Sequence, residues 1–225
     1  MANSESLPEE SLQKLLQAVD DADSVPRIIG AVAALAASRS EAAIPKLIEV
    51  LGYNNPGAAV AAVDGLVKLG EPAVMPLLEQ LDGYNYGARA WAVRALAGIA
   101  DPRGLDILLS AAQNDFALSV RRAAAKGLGT IEWALMDEAQ VESAQEQALN
   151  ALIHVVATDV EWVVRYSGIV GLQALAEAIA PTRAEWRSRI LNQFQAVAEK
   201  DETLAVRTRA VYALEVLSQS TDHQD

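Results

Sequence analysis

The sequence contains no cysteine, and that absence alone removes a disulfide framework, a zinc ribbon and a thiol nucleophile. Histidine is nearly as scarce. His154 and His223 are too few for a multi-histidine metal site, and no His/Asp/Glu cluster has ligand spacing, so no metal is expected. Positive charge is short as well: 18 Lys+Arg stand against 30 Asp+Glu, a net charge of −12, and no nucleic-acid partner is expected of so acidic a chain. Long hydrophobic runs are missing too. The longest uncharged stretch, Val50–Val63, has 14 residues and includes Asn54, Asn55 and Pro56. A spanning helix needs roughly 18–20 apolar residues, so no membrane span is expected. The polar, acidic start Met1–Ser6 has no signal-peptide character, which makes the cytoplasm the expected location. P-loop, dinucleotide-fingerprint, zinc-protease and serine-elbow motifs are all absent, which argues against an enzyme with its own nucleophile. The composition, 52% hydrophobic and 21% charged, is nevertheless that of a folded soluble protein.

What the sequence does contain is a repeat. Ala88-Arg89-x-x-Ala92-x-x-Ala95-Leu96 returns as Val120-Arg121-x-x-Ala124-x-x-Gly127-Leu128. It returns again as Val164-Arg165-x-x-Gly168-x-x-Gly171-Leu172 and as Val206-Arg207-x-x-Ala210-x-x-Ala213-Leu214, with weaker copies at Ala59 and Arg27. The intervals between equivalent positions are 32, 30, 32, 44 and 42, so about six repeats fill the chain. Small and apolar residues at i, i+4, i+7 and i+8 mark one helix face, and the segment before each motif has the same period (Ile44, Leu47, Ile48, Leu51). Pro56, Pro72 and Pro102 fall where first helical turns should begin. The expected fold is therefore all-α: an α-solenoid, a right-handed superhelix of about six helical hairpins, forming one domain over residues 1–225. The first helices of the last two repeats should be longer, about Gln140–Ala157 and Thr182–Glu199, with a hinge near 130–138 and a disordered tail at 219–225. Gly30, Gly65, Gly127, Gly168 and Gly171 are expected to let the helices approach closely.

Asp21, Asp115, Asp159 and Asp201 each lie six residues before a repeat arginine, the spacing of a capping and salt-bridge ladder between repeats. His154, inside an apolar run, is expected at the edge of the core. On a helical wheel, offsets −3, +1 and +5 from the repeat arginine point away from the first helices, toward the inner wall of a solenoid. They carry Tyr86 and Arg94, then Leu118, Arg122 and Lys126, then Trp162, Tyr166 and Val170, then Leu204, Thr208 and Tyr212. Trp91 flanks them and Asp64 is the one carboxylate. A wall of rings and cations suits a flat, conjugated, anionic ligand. It suits a protein partner equally, since Trp, Tyr and Arg anchor interfaces, and it is also compatible with packing in imperfect repeats.

The motif D-x(5)-R-x-x-A-x-x-A-L resembles the HEAT family. The block Leu81-Asp82-Gly83-Tyr84-Asn85-Tyr86-Gly87-Ala88-Arg89-Ala90-Trp91-Ala92-Val93-Arg94, continuing through Ile99–Leu105 and Asn114–Ala124, resembles the E/F-type phycobilin lyases of cyanobacteria, in particular the F subunit. The resemblance implies a heterodimer with an E-type subunit that attaches a bilin, typically phycocyanobilin, to a cysteine of a phycobiliprotein, typically the α subunit of phycocyanin. It implies no tightly bound cofactor, with phycocyanobilin as substrate. Tyr86, Trp91, Trp162 and Tyr166 would then hold the bilin, Arg94, Arg122 and Lys126 its propionates, and Asp64 is the candidate catalytic carboxylate. Family members that isomerise the bilin carry a His-Cys pair, which is absent here. The alternative is a non-catalytic HEAT scaffold or bilin chaperone for phycobiliprotein assembly or degradation.

Overall fold

Apolar residues spaced by three and four fold into helices that each hide one face. The computed structural model describes residues 9–81, 86–179 and 183–219, the side chain of Tyr86 excepted. Among the described residues there are twelve α-helices and no strand. None is long and apolar enough to cross a membrane. Contacts divide the chain into two compact units, Met1–Asp101 and Pro102–Asp225.

The first unit holds α1 (Glu9–Asp20), α2 (Val25–Ala37), α3 (Ile44–Val50), α4 (Pro56–Leu69), α5 (Val74–Gln80) and α6 (Tyr86–Ile99). They pair as three hairpins, and the second helices form a layer in which α4 lies between α2 and α6. Ile44, Leu47, Ile48 and Leu51 are buried, as their spacing predicts. Pro56 opens α4 at a position whose N–H would have no helical partner, and Asn55 caps it, its Oδ1 accepting from the Ala58 N–H at 3.0 Å. Pro72 lies in a short 3₁₀ turn ahead of α5. Each second helix is followed within two residues by a left-handed residue: Arg39 (φ 51°), Gly70 (φ 71°) and Ala100 (φ 64°).

The second unit holds α7 (Leu105–Asn114), α8 (Leu118–Leu128), α9 (Glu138–Thr158), α10 (Trp162–Ala178), α11 (Ala184–Lys200) and α12 (Leu204–Gln219). Here too the helices pair in order, α10 packing between α8 and α12 while α9 contacts α7 and α11. The long helices α9 and α11 match the lengths expected from the wider repeat interval. Residues 130–138 lie inside this unit and are anchored by the buried side chains of Ile131 and Trp133. Residues 220–225 of the expected tail, His223 among them, and the turn Gly83–Asn85 lie outside the described residues.

Three of the expected glycines, Gly65, Gly168 and Gly171, set the spacing of the layers. A methyl at Gly65 would meet Ala36 Cβ at 2.6 Å, at Gly168 Val156 Cγ2 at 2.7 Å, and at Gly171 the Ala125 carbonyl oxygen at 2.3 Å. Gly30, expected to do the same, is exposed with nothing within 4 Å of such a methyl. Its helix has only one neighbouring second helix, so that face is unpacked. His154 also departs from expectation. The helical period of α9 buries Leu152 and Val155 and turns His154 outward, where its Nε2 lies 3.4 Å from the Thr158 hydroxyl.

Candidate ligand-binding wall

The Asp-x(5)-Arg spacing sets the register of the second helices. In the second unit each repeat arginine reaches back to its own loop, and Arg121 and Arg165 also reach forward to the next, whereas Arg207, in the last repeat, bonds the carbonyls of Asp201 and Glu202. Arg121 donates through Nη1 to the carbonyl oxygens of Asp115 (2.9 Å) and Phe116 (3.1 Å), and through Nε and Nη2 to the Asp159 carboxylate at 2.7 and 3.1 Å. Arg165 repeats the pattern with the carbonyls of Asp159 and Val160, and with the Asp201 carboxylate at 2.8 and 3.0 Å. The aspartates do not cap the helix interior. Each accepts from the N–H two residues on (Ala117, Glu161, Thr203), an Asx turn that shapes the loop entering the helix. These two-pronged pairs raise Arg121 and Arg165 above the ordinary guanidinium value. Burial pushes the Asp201 carboxyl up, but hydrogen bonds from Arg165 and the Thr203 N–H outweigh it, and the carboxyl titrates below its usual range. The first repeat does not join the ladder: Arg27 pairs with Asp23 and Asp21 accepts from Gln17.

With the loops locked in step, the same wheel positions of α8, α10 and α12 face the same way. Leu118, Arg122 and Lys126 are exposed on α8. Trp162 (45% exposed) and Tyr166 (37%) follow on α10, and Leu204, Thr208 and Tyr212 (55%) on α12. A solvated helix face seldom leaves so many large apolar groups open. Tyr166, Leu204, Ala205, Thr208, Arg209 and Tyr212 line one open cavity of about 710 Å³, within the usual range for ligand sites. Arg122, Lys126 and Trp162 lie outside that lining.

Arg209 is the residue that sequence reasoning missed. It sits at offset +2, which a wheel places on the flank, and the same offset carries Ser167 and Ala123 in the two preceding repeats. The structure brings its guanidinium carbon 5.3 Å from the Tyr212 ring centroid and 6.0 Å from that of Tyr166. Nη2 donates to Gln173 Oε1 at 2.8 Å, whereas Nη1 is buried with no hydrogen-bond partner. Burial holds this guanidinium below its ordinary value.

In the first unit, Arg94 is exposed on α6 and lies over the Trp91 ring, 5.5 Å from its centroid, a cation–π contact. Asp64 is exposed on α4, the neighbouring helix. The Tyr86 side chain lies outside the described residues. No group of three or more His, Asp or Glu gathers as a cation site among the described residues.

A family model for HEAT repeats matches residues 12–82 and 74–173. The chain is 57% identical, over 92% of its length and 74% of the relative's, to phycocyanobilin lyase subunit beta of Pseudanabaena tenuis. It is 50% identical to the phycocyanin alpha phycocyanobilin lyase CpcF of a Synechocystis species, covering 95% of this chain and 96% of that one. Among solved structures, a chain in the complex of CpcE and CpcF of phycocyanin lyase from Nostoc sp. PCC7120 is 48% identical with a TM-score of 0.71, covering 77% of this chain and 99% of that one. The repeat arginines, the paired helix layers and these relationships agree: the chain belongs to the HEAT-repeat family of phycocyanobilin lyase β subunits, the F-type partners.

Proposed function

We propose that the chain is one subunit of a heterodimeric lyase that joins phycocyanobilin to a cysteine of a phycobiliprotein, the α subunit of phycocyanin. The observation that carries this reading is the relationship to a phycocyanin alpha phycocyanobilin lyase along nearly the whole of both chains. The lack of cysteine suits it, because the thiol then belongs to the acceptor protein. The partner is an E-type subunit, by analogy with the solved complex of CpcE and CpcF, and we assign the reaction to the cytoplasm.

The bond forms by net addition of S–H across the bilin's ethylidene double bond. Sulfur bonds the exocyclic carbon, the π electrons pass into the ring system, and the thiol proton ends on the bilin. Nothing leaves and nothing is oxidised, so the bilin is the substrate and no tightly bound cofactor is assigned. The protein's task is to hold the pigment extended and aim one carbon at the thiol. In the second unit Trp162 and Tyr166 offer ring faces for stacking, and Arg122 and Lys126 offer charge for the propionates. In the first unit Trp91 and Arg94 supply a ring and a cation already in contact, on the helix that also carries Tyr86. Asp64 is the candidate carboxylate for hydrogen bonding to the pyrrole N–H groups, which keeps the conjugated system protonated and favours thiol addition. A carboxylate from the E-type partner is the other source.

The test is reconstitution of the chain with an E-type partner, phycocyanobilin and apo-phycocyanin α subunit. A coloured adduct that survives denaturing electrophoresis is expected. A colourless complex that still binds the phycobiliprotein would instead favour a scaffold or bilin chaperone.

A further inference from the structure

The largely buried arginines of the ladder find carboxylates. Arg121 and Arg165 each hold one with two prongs, and acidic residues outnumber basic ones 30 to 18. Arg209 does not. Its one hydrogen bond goes to the neutral amide of Gln173, and its Nη1 is buried without an acceptor. An orphaned charged donor is costly to leave in place, and a purely structural site would ordinarily satisfy it. Instead the guanidinium is flanked by the rings of Tyr166 and Tyr212, and all three residues line the cavity between α10 and α12 together with Thr208. Ring faces, a cation with an unused N–H and a wall open to solvent form a site for an aromatic or conjugated carboxylate.

We propose that Arg209 is the carboxylate-recognising residue of this cavity. It takes one propionate of an extended conjugated ligand whose ring stacks against Tyr166 or Tyr212. Tyr212, more than half exposed, turns aside as the ligand enters and uncovers the Nη1 edge. The Gln173 bond holds the other edge of the guanidinium, so its plane is set before the ligand arrives. The identity of the ligand as a bilin rests on the lyase reading above.

The experiment titrates phycocyanobilin and its dimethyl ester into the complex with the E-type partner, following the bilin absorbance for wild type, Arg209→Gln and Arg209→Lys. Wild type should bind the diacid about tenfold or more tightly than the ester, as a charge-assisted pair requires. Arg209→Gln should bind the ester as wild type does while losing the preference for the diacid, and Arg209→Lys should keep part of it. Unchanged helical circular dichroism in Arg209→Gln would show that the fold is intact. A folded Arg209→Gln complex that retained the full preference would overturn the role of Arg209 and leave the lyase reading standing. A wild-type complex that bound neither bilin form would overturn both.

Discussion

Arg165 and Asp201 show how one residue pair can set the geometry of a whole wall. Both side chains are more than nine-tenths buried, and together they join the loop before α10 to the loop before α12. A buried pair adds little over a well-packed apolar pair, but removing one partner strands the other. Arg165→Met should therefore lower the unfolding free energy by about 3 kcal/mol, measured by urea denaturation, with Asp201 left uncompensated. A loss below about 1 kcal/mol would place the pair among ordinary surface bridges. The pH dependence follows from the direction of the Asp201 shift. Its native value lies below that of the unfolded chain, so the stabilisation is complete above the ordinary carboxylate range near 3.9 and fades as pH falls through the lowered native value. Wild type should thus lose stability on acidification more steeply than Asp201→Asn, which has no such proton to take up.

At the scale of the helix, backbone approach decides what is tolerated. A methyl on Gly171 would press on the Ala125 carbonyl, and one on Gly129 would fall 2.2 Å from the Gly171 carbonyl oxygen, so α8 and α10 meet backbone to backbone. Backbone cannot swing away as a side chain can. Gly171→Ala should cost about 3 kcal/mol, seen as a lowered thermal midpoint, and a neutral result would mean that the two helices can separate. The opposite change is favoured at Ala100, which ends α6 in the left-handed region. Ala100→Gly should stabilise by up to about 1 kcal/mol in the same assay, because relief of the left-handed cost exceeds the added chain entropy. Gly171 was legible in the sequence because it occupies an inward motif position. Ala100 and Arg39 were not, since only Gly70 among the three carries the residue type that signals such a turn. The ladder between repeats was legible as a spacing, but which aspartate each arginine takes was not, because the carboxylate partner of Arg121 comes from the loop of the following repeat and not from its own. Arg209 was invisible for a related reason. Its surroundings are made by Tyr166 and Gln173 of the neighbouring helix, which a wheel drawn for one helix cannot include.

At the scale of the molecule, the net charge of −12 works against any acidic ligand, yet two of the three exposed wall positions of α8 are cationic. An anionic pigment is repelled by the average charge and attracted by the local one, and with a Debye length of about 10 Å at 0.1 M salt the local field wins at contact. This makes placement, and not total charge, the quantity to test. Arg122→Glu/Lys126→Glu should weaken bilin binding by about tenfold or more in low salt and slow association, and raising the salt should narrow the gap from wild type. Lys14→Glu/Lys200→Glu changes the net charge equally at exposed positions on α1 and α11, first helices of their hairpins, and should leave affinity within about twofold. Stopped-flow absorbance with phycocyanobilin, on complexes with the E-type partner, separates the two effects. Equal weakening in both variants would mean that the overall field governs encounter and that α8 has no special part in it. No weakening in either would remove Arg122 and Lys126 as anchors and leave the rings of Trp162, Tyr166 and Tyr212, with Arg209 beside the two tyrosines, as the groups that hold the pigment.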